Sequence, residues 1–352
     1  MKIGVLIRKG ENPGGGVASM ESLADMLGEQ HEVEVFTVNP HRWLPELPFP
    51  VEVKKSLLLF LGLLESLSFY RELSDFDPDL VLSQHEPALL GSLIAAPQVL
   101  FLRGSFFLSR SYETTKAEGA IDGLSSIINR TISLLNDRFY AGVIKESKVV
   151  LSNSEYTAEQ YRRNNGIDSA VVYPFIETSE FETESNGDYV LHVNPSHHKG
   201  IDITLNVAAE LEDERFLVVG SGPDNGVKER MNGLDNVEYV GYLEDMREAY
   251  SRAKIVMVPS RFEPFGRIPV EAGINGIPAV VSNAGGLAES VETTELVVDE
   301  NVPQEYIQKI NNIKSDYECY AKISRQNALE KSANNQIDKL IRLLAKNGNI
   351  HI

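Results

Sequence analysis

The feature that most constrains the fold is a repeated alternation, in which short continuous runs of β-branched and aliphatic residues are separated by helix-length amphipathic segments. In the first half these runs fall at residues 3–7, 32–38, 80–82, 99–102, 148–151 and 170–172, with a helix expected over 17–27. In the second half they fall at 189–193, 216–219, 237–240, 255–258, 279–281 and 296–298. A strand that is apolar on both faces must be covered on both faces, which is the pattern of a parallel sheet flanked by helices. Two such series in 352 residues predict an α/β protein with two doubly wound, Rossmann-like domains. The length agrees, at about 100–200 residues per domain.

The boundary is placed after Tyr173-Pro174. Residues 175–187 (FIETSEFETESNG) are polar and acidic and lack aliphatic periodicity, the composition of a linker. The N-terminal domain is then 1–174 and the C-terminal domain 175–329. Residues 303–347 read as helix, with Ile337, Leu340, Ile341, Leu343 and Leu344 on one stripe. That tail exceeds the needs of one domain and is expected to pack across the domain junction.

Composition removes several classes of function. With 33 basic and 51 acidic residues the formal charge is −18, which repels a nucleic-acid backbone. The one cysteine, Cys319, permits neither an internal disulfide nor a cysteine zinc cluster and suits a reducing cytoplasm. The N-terminal run from Met1 to Arg8 is too short and too soon charged for a signal peptide. Asp75, Asp77 and Asp79 surround Pro78 just before an expected strand and read as a helix-to-strand turn rather than a metal site.

Two glycine turns and one loop carry the chemistry. Gly14-Gly15-Gly16 lies between the first strand and its helix, where glycine permits positive φ and close approach of a ligand, and a helix start favours phosphate. A dinucleotide fingerprint fits badly, because its third glycine position holds Ser19 and the second strand ends Thr37-Val38-Asn39 without an acid. Gly220-Ser221-Gly222-Pro223 forms a second turn. The most informative segment is Pro259-Ser260-Arg261-Phe262-Glu263-Pro264-Phe265-Gly266-Arg267-Ile268-Pro269-Val270-Glu271-Ala272-Gly273, at the carboxyl end of a strand. Pro264 keeps Glu263 in the loop, and Pro269 fits the first turn of a helix that carries Glu271. Two carboxylates are thus expected to face one pocket, where each accepts paired hydroxyls, as on a sugar ring.

The spacing of Glu263 and Glu271 within SRFEPFGRIPVEAGINGIPAVVSNAGGLAE resembles the signature of retaining glycosyltransferases of family 4, which have the GT-B fold. The likeness extends over Gly14–Gly16, Ser152-Asn153-Ser154-Glu155, Val172-Tyr173-Pro174, Lys199-Gly200, Gly220–Pro223 and the stretch ending Gly241-Tyr242. The resemblance implies two Rossmann-like domains facing a central cleft, with the last helix, about 330–347, joining the N-terminal domain. It implies transfer of a sugar from a nucleotide diphosphate sugar to an acceptor hydroxyl, on a sugar or a lipid-linked glycan, with no cofactor and no essential metal.

By the same resemblance Glu263 and Lys199 are the catalytic candidates, Glu263 against the transferred sugar and Lys199 against the departing diphosphate. Glu271 matches the ribose ligand, and Phe265, Gly266, Arg267, Gly15, Gly16 and Tyr242 the other donor contacts. His85 and Arg103 are acceptor-side candidates. The chain departs from the family where 193–200 (VNPSHHKG) lacks a second diphosphate cation, a role open to Arg267, Arg103 or a histidine. The cleft is accordingly expected to be locally cationic. Residues 57–64, beside Lys54 and Lys55, read as a buried helix, with peripheral contact at the inner face of the cell membrane as the second reading. Two other functions stay open at this stage: a different GT-B enzyme such as a sugar-nucleotide epimerase, and a non-catalytic nucleotide-sugar-binding partner.

Overall fold

The structure is a computed structural model that describes residues 1–8, 14–38, 67, 69–84, 87–103 and 142–352. The chain divides into two compact units. Unit 1 is Met1–Asn153 with Thr157–Val172 and Ile337–Ile352, and unit 2 is Ser154–Tyr156 with Tyr173–Gln336.

Unit 1 holds strands β1 (Lys2–Arg8), β2 (Glu32–Val38), β3 (Leu80–Gln84), β4 (Gln98–Leu102), β5 (Val149–Ser152) and β6 (Ala170–Val171). They form one sheet in the order β2-β1-β3-β4-β5-β6, parallel at every pairing. The chain grows one way from β1 to β2 and then the other way from β3, so the topological switch point lies between β1 and β3. Every residue of β3 and β4 is buried, as their continuous apolar runs require. The helix Gly15–Gly28 buries Met20, Leu23 and Leu27.

Unit 2 repeats the plan with β7 (Tyr189–Val193), β8 (Arg215–Val219), β9 (Val237–Gly241), β10 (Ala253–Val258), β11 (Ala279–Ser282) and β12 (Val297–Val298). The order β12-β11-β10-β7-β8-β9 is again parallel throughout, with the switch point between β7 and β10. Its core contains Val190, Leu217, Tyr250, Val256, Val280 and Tyr306, all of them buried. Both sheets are doubly wound, as the alternation of apolar runs predicts.

Some local expectations change. Residues 175–187 are fastened down rather than free: Phe175 and Ile176 are fully buried, and Thr178–Phe181 is a short helix. Asn275 clamps that helix, donating to Phe181 O at 2.9 Å and accepting from Thr183 N at 2.7 Å. Two adjacent apolar residues and one amide account for the docking, and neither produces periodicity. Gly14 has φ −79, and none of the three N-terminal glycines lies at positive φ. Positive φ is therefore not what these glycines supply, and a Cβ at Gly14 would meet nothing within 4 Å. Leu296 ends a 3₁₀ turn (Thr294–Leu296) instead of opening β12. Asp77 caps the helix Tyr70–Phe76 at φ 52, and Asp79 accepts from Lys2 N at 2.8 Å, so these two are turn residues. Among the described residues no helix is long and apolar enough to cross a membrane. His85 and residues 54–64 lie outside the described residues.

Candidate functional site

Open α/β sheets bind ligands at the carboxyl ends of their strands, at the switch point. In unit 2 a cavity of about 180 Å³ opens there, lined from β7 by His192, Val193, Asn194 and Lys199 and from β10 by Met257, Val258, Ser260, Glu263 and Ile268.

Lys199 ends a 3₁₀ turn, His197–Lys199, that leads into the helix Ile201–Glu210. Gly200 follows at φ +76, and a Cβ there would meet Pro259 O at 2.1 Å. Only glycine lets the turn rest on the loop after β10. Arg261 completes the junction, its backbone N–H donating to His198 O at 2.9 Å and its Nε to His197 O at 3.0 Å.

Glu263 sits on that loop, and its carbonyl accepts from Gly286 N at 2.8 Å. Gly285 lies at φ +69 with its absent Cβ 2.2 Å from the same carbonyl, so the Gly285-Gly286 turn pins the backbone of Glu263. Ser260 Oγ donates to Glu263 Oε1 at 3.2 Å, and Ser282 Oγ donates to Ser260 O at 2.6 Å. The Lys199 ammonium donates to Glu263 Oε1, forming an ion pair whose side chains are only 28% and 16% exposed. A pair this far from water holds each charge ready for a ligand group of opposite sign.

Glu271 does not line this cavity. It lies in the helix Ile268–Ile274 at 5% exposure, where Tyr250 Oη donates to its Oε2 at 2.8 Å and Arg267 Nε to its Oε1 at 2.9 Å. Burial, then the Glu271 charge, hold the Tyr250 phenol well above its ordinary range, so it remains a donor at neutral pH. Arg267 faces Glu271 and stands over the Phe181 ring, because residues four apart on a helix share a face. The expectation of two carboxylates on one pocket therefore becomes Glu263 on the cavity and Glu271 in a neighbouring polar triad. Lys199 is the cationic side chain among the cavity's lining residues.

The Phe265 side chain is core: it stacks on Tyr173 with ring centroids 5.0 Å apart and packs with Ile176, Val270, Ile274 and Ala328. Phe265 is 2% exposed, and neither it nor Gly266 lines the cavity. His197 is engaged by Asp224 at 3.0 Å and Asp202 at 3.6 Å. Tyr242 follows β9 with 70% exposure, and Gly220 N donates to Gly241 O at 2.7 Å, so the turn after β8 lies beside it. Gly15, Gly16 and Arg103 belong to unit 1.

Three residues of the site escape the sequence reading: Ser260, Tyr250 and His192. His192 lies at the carboxyl end of β7, almost completely buried, and burial pushes its pKa down to about 4. The neutral ring faces Thr204 Oγ1 through Nδ1 at 2.8 Å and Asn194 O through Nε2 at 3.2 Å. Nε2 therefore carries the proton, and Nδ1 accepts from the threonine. Its place at the cavity end of a central parallel strand was the available signal.

Two doubly wound parallel sheets, the second with a lysine–glutamate cavity at its switch point, define the GT-B class of fold. Residues 13–180 match the family model "Glycosyltransferase Family 4", and residues 188–316 match "Glycosyl transferases group 1". The D-inositol 3-phosphate glycosyltransferase of Mycobacterium sp. (strain KMS) is 29% identical over 208 residues, covering 49% of this chain and 46% of that protein. The chain thus spans about half the length of the curated relatives it matches. Among solved structures, Alr3699/HepE of Anabaena, in complex with UDP, superposes with a TM-score of 0.71 at 19% identity, covering 98% of this chain and 100% of that one. Sucrose-phosphate synthase of Thermosynechococcus elongatus superposes with a TM-score of 0.72 at 18% identity, covering 98% and 99%. The chain belongs to the GT-B glycosyltransferases of the group 1 and family 4 type.

Proposed function

We propose that this protein transfers a sugar from a nucleoside diphosphate sugar to an acceptor hydroxyl with retention of configuration, and that its own lysine, not a metal, balances the departing diphosphate. The observation that carries the reading is the Lys199–Glu263 ion pair on the wall of the cavity at the β7/β10 switch point. A departing diphosphate gathers negative charge, and a fixed ammonium in a half-buried cavity stabilises it more than water does. As Lys199 turns to phosphate, the Glu263 carboxylate is released to accept a hydroxyl of the transferred sugar. Each oxygen of Glu271 keeps a further lone pair beyond its bonds to Tyr250 and Arg267, which suits ribose hydroxyls. The exposed Tyr242 ring and the Gly220–Gly222 turn offer a wall for the base. In retention by front-face attack the leaving phosphate oxygen takes the acceptor proton, so no protein base is required.

HepE was crystallised with UDP and with UDP-glucose, which supports uridine nucleotides as the first donors to try. The reading is tested by proton NMR of reactions containing nucleotide sugars, mixed sugar acceptors and a chelator. The expected result is a new glycoside with the donor's anomeric configuration, released with one nucleoside diphosphate per bond. An inverted anomer contradicts retention, dependence on added metal contradicts the role of Lys199, and epimerisation or hydrolysis without transfer contradicts the transferase itself.

A further inference from the structure

Tyr250 does not need its hydroxyl to fill its space. It is fully buried in the helix Arg247–Arg252, edge-on to the Phe181 ring with centroids 6.4 Å apart, contacts that a phenylalanine would also make. The hydroxyl adds one bond, to Glu271 Oε2 at 2.8 Å. The other carboxylate oxygen, Oε1, accepts from Arg267 Nε at 2.9 Å. The two donors come from different elements, Tyr250 from the helix before β10 and Arg267 from the N-terminal end of the helix that carries Glu271. Phe181 packs on both, since the Arg267 guanidinium stands 5.9 Å from the centre of the same ring. The last torsion of a glutamate is broad and two-fold, so one donor leaves the carboxylate able to swing, whereas two donors fix its plane. With both bonds made the Glu271 side chain is 7% exposed, and a ligand meets it in one orientation.

We infer that Tyr250 and Arg267 are positioning residues that give the donor site its selectivity for ribose: together they fix the plane of the Glu271 carboxylate, so that it takes up a ribose diol and discriminates against 2′-deoxyribose. The inference rests on the reading of Glu271 as the ribose ligand and adds the residues that make that ligand selective. A vicinal diol offers two hydroxyl donors at a fixed separation, and a carboxylate of fixed plane accepts both only in register. Without the 2′-hydroxyl one lone pair stays unmet in a nearly closed site, and a site built around a substrate hydroxyl rejects the analogue that lacks it. A carboxylate that can rotate loses that register and accepts whichever hydroxyl arrives. Both residues therefore act on selectivity through Glu271, and Phe181 supports them from behind.

The test is calorimetry on the full chain with UDP, GDP and ADP and the 2′-deoxy form of each, with circular dichroism to confirm that each variant is folded. For the nucleotide that binds tightest, the wild type should prefer the ribose form about tenfold or more, the worth of one charge-assisted bond. Tyr250→Phe, which keeps the ring, and Arg267→Met, which keeps the aliphatic stem, should each bring that preference down to about threefold or less. Glu271→Gln should abolish it. The ratio of the two forms is the readout, because a merely structural role would weaken both alike and leave the ratio unchanged. An unchanged ratio in a folded Tyr250→Phe or Arg267→Met overturns the inference. If Glu271→Gln loses the preference at the same time, the ribose reading of Glu271 stands and this inference alone falls. A wild type that binds the two forms equally, or binds neither, overturns both.

Discussion

Lys199 and Glu263 neutralise each other in a half-buried setting, so the cavity carries little net charge until a ligand separates them. The overall charge of −18 therefore says nothing about the site, where one lysine is balanced by one glutamate. His192 acts at one remove, by bonding the carbonyl of Asn194, a residue at φ +70 in the turn that leads to Lys199. Its buried neutral ring also fixes a pH dependence. Above its ordinary pKa of about 6.5 the imidazole is neutral in both folded and unfolded chains and contributes no slope. As pH falls from there towards about 4, the unfolded chain takes up a proton that the folded chain refuses, so stability falls with pH. Below about 4 both forms are protonated and this loss is complete. Urea midpoints measured between pH 7.5 and 4.5 should fall less steeply for His192→Gln than for the wild type. Parallel profiles would mean that His192 titrates normally in the folded chain.

At the scale of elements, the loops that follow β7, β10 and β11 form one assembly. The turn after β11 holds the backbone of Glu263, and the loop after β10 holds the carbonyls of His197 and His198. Gly285→Ala must either displace the Glu263 carbonyl or leave φ +69, at a cost of about 1 kcal/mol or more. Turnover should drop at least about tenfold while the Tm moves only a few degrees, because a displacement of order 1 Å at a catalytic group costs far more in rate than in stability. Wild-type kinetics in Gly285→Ala would show that this turn does not position the site.

The strands were legible because a buried parallel strand has to be written as a continuous apolar run, and every expected strand is found within a few residues of its predicted limits. Lys199 and Glu263 were legible through the family likeness. The Gly285-Gly286 clamp, the docking of residues 175–187 and the bond from Tyr250 to Glu271 were not. Each depends on a contact between residues whose partners no local pattern specifies.

At the scale of the molecule, each unit has its own sheet, its own switch point and its own polar edge, and the two family models meet between residues 180 and 188. Chemistry divides along the same line. The lysine–glutamate cavity belongs to unit 2, and the buried carboxamide of Gln84 belongs to unit 1. The most direct measurement of the central claim is a calorimetric titration of uridine, guanosine and adenosine diphosphates into the wild type and into Lys199→Ala, with circular dichroism confirming that the variant is folded. One nucleotide should bind the wild type with a single site, and Lys199→Ala should weaken it about tenfold or more, the loss of one charge-assisted contact to phosphate. Equal affinity in the two proteins, or no nucleoside diphosphate bound by the wild type, would contradict the assignment of the β7/β10 cavity as the donor site.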